Sequence, residues 1–454
     1  MMDSASGAAA QETLPTEEPW RLQSALGLPE WFVVHGSFDA RFESLDKRLR
    51  AGESGSNQGL FTRTLLEMTV RDTFLEATAE IIDSRISGEP DDARTTTGQV
   101  NTAELLQGYV AGRFEDALAE GDQLRVQLGR HTMDIGSRRL AARNIYRNTI
   151  NAFTGANAQW TSAGGAKVRA FYTFPVQRLP GNGDIPALRD GQVDFDEERT
   201  SIRFWGLHAA VPGAVAGGDF EAYLLGLDEA DARELATSDR DLNTVGARWL
   251  RKPAEGEVHW ELESAFQFGE SAASRSATDS LDHQAYLHHA TLGYTFPGEE
   301  RVRVEGLFDI ASGDRDPADG KNERFDSLFG VPRGEYGPTG LFREIARANV
   351  VSPGIRTVFD PYPRWNVMAL LRFNYLASDR DAWTTTGIVD PSGNSGSHIG
   401  NLSEVRVRYQ LVPDSVRLEF GAAYHSAGSF AKAAANANGG RDAVYGYVQT
   451  TFWF

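Results

Sequence analysis

Polar and apolar residues alternate along this chain with a period of two, from about residue 31 to the last residue. In "FVVHGSFDARF" the apolar Phe38 and Phe42 alternate with the charged Asp39 and Arg41. The segments "TLLEMTVR", "KVRAFYTF", "RVRVEGLFDI" and "WNVMALLRFNY" repeat this pattern. Successive side chains of a β-strand point to opposite faces, whereas a helix repeats every three to four residues. About eighteen such segments can be counted, with boundaries good to a few residues. The pattern therefore predicts an all-β protein.

The links between these segments alternate between short and long. Short links occur at 71–73, 162–165, 252–256, 297–300 and 412–414, and long polar links near 44–61, 84–101, 131–152, 175–200, 269–284, 312–341 and 377–401. An up-and-down barrel needs this alternation, because its tight turns lie at one rim and its loops at the other. A β-sandwich has Greek-key crossings, which give no reason for it. A propeller would show a repeat of about 40–50 residues, which this chain lacks.

We therefore predict one antiparallel, up-and-down transmembrane barrel of about eighteen strands. The barrel is expected to occupy residues 29–454, with long extracellular loops, after a periplasmic segment at 1–28. An even number of strands places both termini at the periplasmic rim. The first twenty residues contain no basic stretch followed by an apolar one, so they do not form a signal peptide.

The last segment, "YGYVQTTFWF" (445–454), predicts a final strand that pairs with the first to close the barrel. Phe452 and Phe454 share its lipid-facing side, where barrels carry aromatic girdles, and Trp453 lies on the other side. A terminal Phe also resembles the signal that the outer-membrane assembly machinery reads on its clients. We assign Phe452, Trp453 and Phe454 to the membrane interface and to assembly.

Composition narrows the classes of function. No apolar run approaches the roughly 20 residues of a membrane helix, so only strands could cross a membrane. The chain has no cysteine, which excludes disulfides, thiol catalysis and cysteine-ligated metals. Its formal net charge of −18 argues against a nucleic-acid partner.

Arginine and glutamate alternate on the predicted inner face of the barrel. We interpret most of them as ion pairs that brace the wall. Those that we also assign to a solute path are Arg63, Arg125, Arg169, Arg203, Arg303, Arg408, Glu67 and Glu305.

The segment "LGRHTMDIGSRRLAARNIYRNTINAF" (128–153) has an unusual charge. It carries Arg130, Arg138, Arg139, Arg143 and Arg147, with Asp134 as its only acid. One interpretation is a solvated extracellular loop. The other, which we favour, is a loop folded into the pore that presents guanidinium groups to carboxylates, because the planar guanidinium matches carboxylate geometry. The second interpretation predicts an anion-selective path.

A second long segment, 322–342, is too aromatic for a featureless loop, and its Phe325, Phe329 and Tyr336 could pack a plug or stack on sugar rings. The neighbouring stretch 312–326 is rich in Asp, but its spacing does not match an EF-hand. We expect no metal or other cofactor, with Ca²⁺ at this stretch as the open alternative.

Enzymatic motifs are absent from the sequence. It has no GxSxG, Walker or HExxH motif, and the pairs His288–His289 and Asp314–Asp316 lack a third metal ligand. We expect a protein that is not an enzyme. An outer-membrane enzyme, such as a lipid A hydrolase, is the alternative from another class.

Three segments resemble the alginate-export family of outer-membrane barrels. They are "LGRHTMDIGSRRLAARNIYRNTINAFTGA", "RFDSLFGVPRGEYGPTGLF" and "IGNLSEVRVRYQLVPDSVRLEFGAAYHSAGSF". The resemblance implies a monomeric 18-stranded barrel with an arginine-rich constriction, gated by one long extracellular loop and one periplasmic loop. The chain departs from the family pattern at His131, where Gln is usual, at Ala152–Gly155, which replaces Phe-Asp-Gly, and at Arg406, where an acid is frequent.

The function that the resemblance implies is passive transport. It points to an outer-membrane channel of a Gram-negative bacterium for an anionic, alginate-like polysaccharide. An uptake porin for anionic oligosaccharides or small solutes is the alternative. The partners expected on this basis are outer-membrane lipid, an anionic glycan and periplasmic export or assembly factors. The resemblance carries over the fold, and leaves open both the glycan and the direction of transport.

Overall fold

The structure, a computed structural model, describes residues 19–232, 235–277, 279–331, 335–338, 340–437 and 440–454. Eighteen long antiparallel strands form one closed barrel, and two further strands, β8 and β15, are two-residue additions to it. The strands are β1 (Phe32–Leu45), β2 (Asn57–Arg71), β3 (Leu75–Ser87), β4 (Asn101–Glu115), β5 (Gln123–His131), β6 (Phe153–Thr161), β7 (Lys167–Gln177), β8 (Glu197–Glu198), β9 (Ile202–Val215), β10 (Gly218–Glu229), β11 (Asp241–Arg251), β12 (Val258–Ala272), β13 (Ser280–Thr295), β14 (Arg303–Ala311), β15 (Lys321–Asn322), β16 (Val350–Phe359), β17 (Trp365–Tyr375), β18 (His398–Val412), β19 (Val416–Ala427) and β20 (Ala443–Trp453).

The described residues also form three short helices: α1 (Leu22–Ala25), α2 (Ile185–Arg189) and α3 (Ser429–Ala433). Within the described residues, no helix has the length and apolar character needed to cross a membrane.

The barrel closes where β20 pairs with β1. Ser37 lies opposite Trp453 and Leu45 lies opposite Tyr445 along this seam. At its end the backbone N–H of Gly36 donates to the carbonyl of Phe454 (2.8 Å), and the N–H of Phe454 donates back to Gly36 (3.0 Å). All other barrel strands pair with their neighbours in the sequence. The predicted fold and strand count are confirmed.

Short turns and long loops lie at opposite rims. The longest turns of the short rim are 116–122 and 296–302, and β1 begins and β20 ends at this rim. In outer-membrane barrels the short turns are periplasmic. The other rim carries the loops 46–56, 88–100, 132–152, 178–201, 230–240, 273–279, 312–349, 376–397 and 428–442. Two of these, 230–240 and 428–442, are absent from the loops predicted by sequence. No long loop occurs at the short rim in the described chain, so the periplasmic gating loop that the resemblance implied is not found there.

The N-terminal segment, which the structure describes from residue 19, lies at the short rim. The Arg21 guanidinium donates to the carbonyl of Asp414 (2.8 Å), in the turn between β18 and β19. Residues 1–18 of the predicted periplasmic segment lie outside the described residues, so its extent stays a prediction.

Side chains alternate between lipid and lumen as the periodicity predicts. Phe42 and Val448 are 46% and 48% exposed on the outer face, whereas Glu43 is fully buried inside. The end of the chain follows the same rule, because Phe452 and Phe454 lie side by side with ring centroids 5.6 Å apart. Phe452 also stacks on Trp20, with ring centroids 5.8 Å apart, and the Arg417 guanidinium lies 4.9 Å from the centre of the Trp453 ring.

Two long loops fold into the lumen and pack on each other. We name 132–152 the first inner loop and 312–349 the second inner loop. Their backbones join where the N–H of Phe329 donates to Leu140 (2.9 Å) and the N–H of Ala142 donates to Phe329 (3.2 Å). The Phe329 ring lies 5.2 Å from Phe153 and 5.0 Å from Phe204, on the barrel wall.

The aromatic residues of the second inner loop support the plug interpretation of its sequence. Phe325 and Tyr336 are almost fully buried, at 1% and 2% exposure. Residues 332–334 and 339 of the predicted stretch lie outside the described residues. The inner loops thus give the barrel a packed core in part of its lumen.

Candidate functional site

The first inner loop is anchored to β1 and β2 by wall arginines. The Arg63 guanidinium donates to the carbonyls of Ile145 (2.7 Å) and Arg147 (3.0 Å). Arg41 donates to the carbonyl of Tyr146 (2.9 Å) and lies 4.4 Å from the centre of its ring. Both arginines also have carboxylate partners, Asp39 for Arg63 and Glu43 for Arg41, each at 2.7 Å. Their main contribution is therefore to hold the loop in place.

Arg139 anchors the other end of the same loop to β12. Its guanidinium, buried at 3% exposure, contacts Glu261 (2.5 Å), Glu263 and Glu335. The three carboxylates raise its pKa against the effect of burial, which alone would lower it. β2 and β12 are separated by half of the eighteen-strand ring, so the first inner loop connects opposite walls.

Most of the arginines predicted to line the path are neutralised by carboxylates. Arg143 contacts Glu80 (2.6 Å), and its backbone N–H donates to the Asp134 carboxylate (2.8 Å). The other pairs on the inner face are Arg125 with Glu76 (2.8 Å), Arg303 with Glu305 (3.2 Å) and Arg408 with Glu419 (2.5 Å). Among the predicted acids, Glu305 also contacts Arg356 (2.5 Å) and His259 (3.1 Å), and Glu67 lies 3.6 Å from His35. These contacts match the wall-bracing interpretation.

Two of the predicted arginines do not belong to the lumen-facing rows. Arg203 lies outward, opposite Asp228 (3.2 Å), because Ile202 and Phe204 take the inner face of β9 and pack there. Arg130 is on the same side of β5 as the exposed Leu128, and Glu104 (2.6 Å) and Glu198 (2.7 Å) hold its guanidinium. We therefore leave both out of the path.

Three predicted arginines form no ion pair among the described residues. Arg138 is exposed at the surface of the first inner loop. Arg147 donates to the carbonyl of Thr149 (3.0 Å) and to the Asn151 amide. Arg169 donates to the carbonyl of Asp134 (2.8 Å) and to Gln159 (2.7 Å). A guanidinium bound only to neutral acceptors keeps a net positive charge that an anion can neutralise.

Arg147 faces a cavity that we name the outer chamber. It has a volume of about 140 Å³ and lies among β1, β2 and five loops of the long-loop rim. Its lining includes Arg41, Arg48, Arg50, Arg94, Arg147 and Arg343, and the only acidic residue among the described lining is Glu53. Asn144, Asn148, Gln99 and Asn57 add amides. A chamber of this composition attracts anions and offers hydrogen bonds to hydroxyl groups.

Electrostatic crowding marks the outer chamber as cationic. Burial, with Arg178 and Arg343 nearby, holds the pKa of the Arg147 guanidinium well below its ordinary value. This direction means that the positive charge of Arg147 is disfavoured where it stands, so a bound anion would stabilise the charged form.

A second cavity, the inner chamber, lies between the first inner loop and the wall of β4–β7. It has a volume of about 350 Å³. Arg125, Arg143 and Arg169 line it with the amides of Gln107, Gln127, Asn157 and Gln159, the Tyr109 hydroxyl, and Asp134. Arg143 lines the inner chamber and Arg147 the outer one, so the short segment 143–147 borders both.

Sequence reasoning missed Arg94 and Arg343, two exposed residues of the outer chamber with no ion pair among the described residues. Arg94 follows two aspartates and Arg343 precedes a glutamate, so the local charge of each segment hides them. Only the fold, which brings five loops together, shows their proximity to Arg147.

Arginines lie against several of the acidic residues that could bind a metal ion. Next to the aspartate-rich stretch 312–326, the carboxylate of Asp381 in loop 376–397 binds the Arg324 guanidinium and accepts the N–H of Asp314 (2.9 Å). His289, Asp309 and Glu335 also lie close together. Arg372 binds Asp309 (2.6 Å), however, and Arg139 and Arg347 bind Glu335. Ca²⁺ binding stays an untested alternative.

Comparisons with known proteins agree with this geometry. Residues 31–444 match the model of the alginate-export family. Among solved structures, the chain is similar to Acinetobacter baumannii OccAB1 (13% identity, TM-score 0.59, covering 94% of this chain and 97% of that one). It is similar to Pseudomonas aeruginosa OccK11 (OpdR) (14%, 0.54, 94% and 98%) and to P. aeruginosa OccK2 (OpdF), crystallised in complex with glucuronate (12%, 0.56, 93% and 98%). Identities this low indicate a shared fold. No curated protein sequence matches the chain.

Proposed function

Because this chain belongs to the alginate-export family of outer-membrane channels, we propose that it conducts an anionic polysaccharide through an arginine-lined path in the lumen. The observation that carries the proposal is the outer chamber, where Arg94, Arg147 and Arg343 form no ion pair among the described residues and Glu53 is the one acidic residue of the described lining. A uronate residue offers one carboxylate for a guanidinium fork and several hydroxyls for amides. Both kinds of group line the outer and inner chambers.

The proposed path crosses segment 143–147. A carboxylate leaving Arg147 on one side of this segment would next meet Arg143, Arg125 and Arg169 on the other. Asp134 and Glu53 at the two chambers would keep each contact weak enough for release. The proposal includes a Gram-negative source and no catalytic step, since the chemistry that it requires is reversible binding alone.

The alternative is uptake of small anionic solutes or oligosaccharides. One observation favours it: OccK2, which is similar in fold, was crystallised with glucuronate, a single uronate. The two chambers, of about 140 and 350 Å³, have sizes suited to single sugars as well as to a chain that passes one residue at a time.

The first prediction concerns ion selectivity. Arg94→Glu/Arg343→Glu should shift the channel from anion toward cation selectivity, because two exposed cations of the outer chamber become anions. Reversal potentials in a planar bilayer under a salt gradient measure this. Both positions are exposed and have no ion pair to lose, so folding should be preserved.

The matched control is Arg275→Glu, an exposed arginine in another loop of the same rim that does not line the chamber. It should leave the reversal potential close to that of the unmodified protein. Cation selectivity of the unmodified channel, or equal shifts in the double variant and the control, would contradict the proposed path. Current block by oligouronates of increasing length, applied from each side, then separates polymer export from uptake of small solutes.

A further inference from the structure

A third cavity, at the long-loop rim, has a largely apolar wall, unlike the two arginine-lined chambers. It has a volume of about 240 Å³ and lies beside the outer chamber, with which it shares Arg48, Leu49 and Glu53. Its apolar wall consists of Leu49, Trp383, Ile388 and Ala431, from two loops and α3. Trp383 (3% exposed), Ile388 and Ala431 belong to one hydrophobic cluster, and the partly buried Leu49 packs against it. We name this cavity the side pocket.

Polar groups of the side pocket are confined to a few positions. Lys47, Arg48 and Arg441 line it with one acid, Glu53. The Arg48 guanidinium is paired with the Asp92 carboxylate through hydrogen bonds of 2.8 and 2.9 Å. The Lys47 ammonium lies 3.8 Å from the Asp46 carboxylate and donates to the carbonyl of Asp442 (3.2 Å), and the exposed Arg441 has no ion pair among the described residues. Two cations are thus available to a ligand whose remaining surface meets apolar walls.

The side pocket also contains a buried histidine. His425 is fully buried, and its Nδ1 lies 2.5 Å from Glu344 Oε1. Its Nε2 has no hydrogen-bond partner among the described residues. The Trp383 ring lies 5.6 Å from the His425 ring at an angle of 36°. A buried ring nitrogen without a partner is a polar group that a ligand oxygen can satisfy.

We propose that the side pocket binds a small aromatic carboxylate. Cavities of about 150 Å³ lined by apolar side chains are known to accept benzene, so a single ring with a carboxylate fits this larger volume. The indole of Trp383 favours an aromatic ring, and Lys47 and Arg441 favour a carboxylate. A sugar suits this pocket poorly, because most of its hydroxyls would face apolar walls. The pocket adjoins the outer chamber through Arg48, Leu49 and Glu53, but Trp383, Ile388 and Ala431 do not line that chamber, and the inference does not rest on the proposed function.

The test uses the full chain in lipid nanodiscs with benzoate as the probe. Binding is followed by tryptophan fluorescence, and Trp383→Phe identifies the part of the signal that arises in the pocket. Benzamide has the ring without the charge, and acetate has the charge without the ring. Benzoate should bind saturably, and both analogues should bind several-fold more weakly.

Two variants probe the two halves of the site. Lys47→Ala/Arg441→Ala should weaken benzoate binding about threefold to tenfold, the loss expected for two exposed charges. Ala431→Leu fills the apolar wall and should abolish binding. Lys321→Ala/Arg275→Ala removes the same charges from exposed positions of the same rim outside the pocket, and should bind benzoate like the unmodified protein.

Three results would overturn the inference. One is the absence of saturable benzoate binding to the unmodified chain. Another is equal binding of benzamide, since the charge would then play no part. The third is unchanged binding in the folded Ala431→Leu variant or in Lys47→Ala/Arg441→Ala, which would place benzoate in another part of the molecule, such as the outer chamber.

Discussion

Arg139 and Arg147 belong to the same inner loop, but their guanidinium groups have opposite surroundings. Arg139 is buried against three glutamates, whereas Arg147 has only neutral acceptors and lies near Arg178 and Arg343. The first arrangement fixes the loop and leaves no charge for a solute. The second leaves a charge without a carboxylate partner. The two arginines thus have different roles: Arg139 stabilises the loop, and Arg147 belongs to the proposed path.

We predict that Arg139→Met will destabilise the barrel strongly. Removing the cation leaves Glu261, Glu263 and Glu335 close together without it, and breaking a buried ion pair in this way costs about 3–5 kcal/mol. Urea unfolding in lipid vesicles, followed by tryptophan fluorescence, measures the free energy of unfolding. Arg315→Ala, which removes an exposed arginine paired with Glu323, should change it little. Similar values for the two variants would show that the Arg139 cluster does not stabilise the fold.

The sequence predicts which arginines are unusual but not their partners. The excess of arginine in 128–153 is visible in the letters alone. Arg139 and Glu263, however, are 124 residues apart, and Arg63 reaches a carbonyl 84 residues away. Such contacts depend on how loops enter the lumen, which the period of two does not describe. The proposed path therefore includes Arg94 and Arg343, which the sequence did not indicate, and leaves out Arg130 and Arg203.

The sequence pattern predicts the two faces of a strand correctly where these faces have different surroundings. On β1, lipid on one side and charged wall residues on the other give a clear alternation. On β9 the inner residues Ile202 and Phe204 pack in the hydrophobic cluster, while Trp205 and Leu207 lie on the outer face. Both faces of β9 are apolar there, so the pattern does not distinguish them. Arg203 was assigned to the wrong face for this reason.

The seam between β1 and β20 gives a prediction about strand closure. A Cβ atom at Gly36 would lie 2.4 Å from the carbonyl oxygen of Leu65 and 2.6 Å from the Phe454 ring. The ring can move, but the backbone carbonyl cannot move without disturbing the β1–β2 ladder. Gly36→Ala should therefore destabilise the barrel by about 1–3 kcal/mol, as overpacking does.

Gly306→Ala is the matched control for the seam. It adds the same methyl group on another barrel strand, where the nearest atom would be 3.8 Å away. The heat-modifiable gel shift of folded barrels, with urea midpoints, compares the two variants. Equal stability of Gly36→Ala and Gly306→Ala would mean that the seam relaxes around the added methyl.

The charge that lines the outer chamber differs in sign from the net charge of the molecule. The chain carries a formal net charge of −18, yet the outer chamber groups six arginines with one glutamate. Charges that line a cavity with low-dielectric walls dominate the local potential, so the overall sign does not set the selectivity of the proposed path.

Anion selectivity should fall as salt concentration rises. The Debye length decreases from about 10 Å at 0.1 M to about 3 Å at 1 M, so the field of the chamber reaches fewer passing ions at high salt. Reversal potentials at a fixed concentration ratio, measured over this range, test the expectation. Selectivity that is undiminished at 1 M salt would indicate direct ligation of each ion and would contradict long-range attraction as its source.

The first inner loop has a mechanical consequence for the barrel. It is tied to β2 through Arg63 and to β12 through Arg139, on opposite sides of the ring. A barrel that is braced across its diameter by a loop resists flattening along that line, whereas a barrel without such a brace deforms more easily. The surrounding bilayer exerts lateral pressure on the barrel from all sides. Because this bracing loop contains segment 143–147, we expect any compression that bends it to displace this segment as well, which would couple the width of the proposed path to the lateral pressure of the membrane.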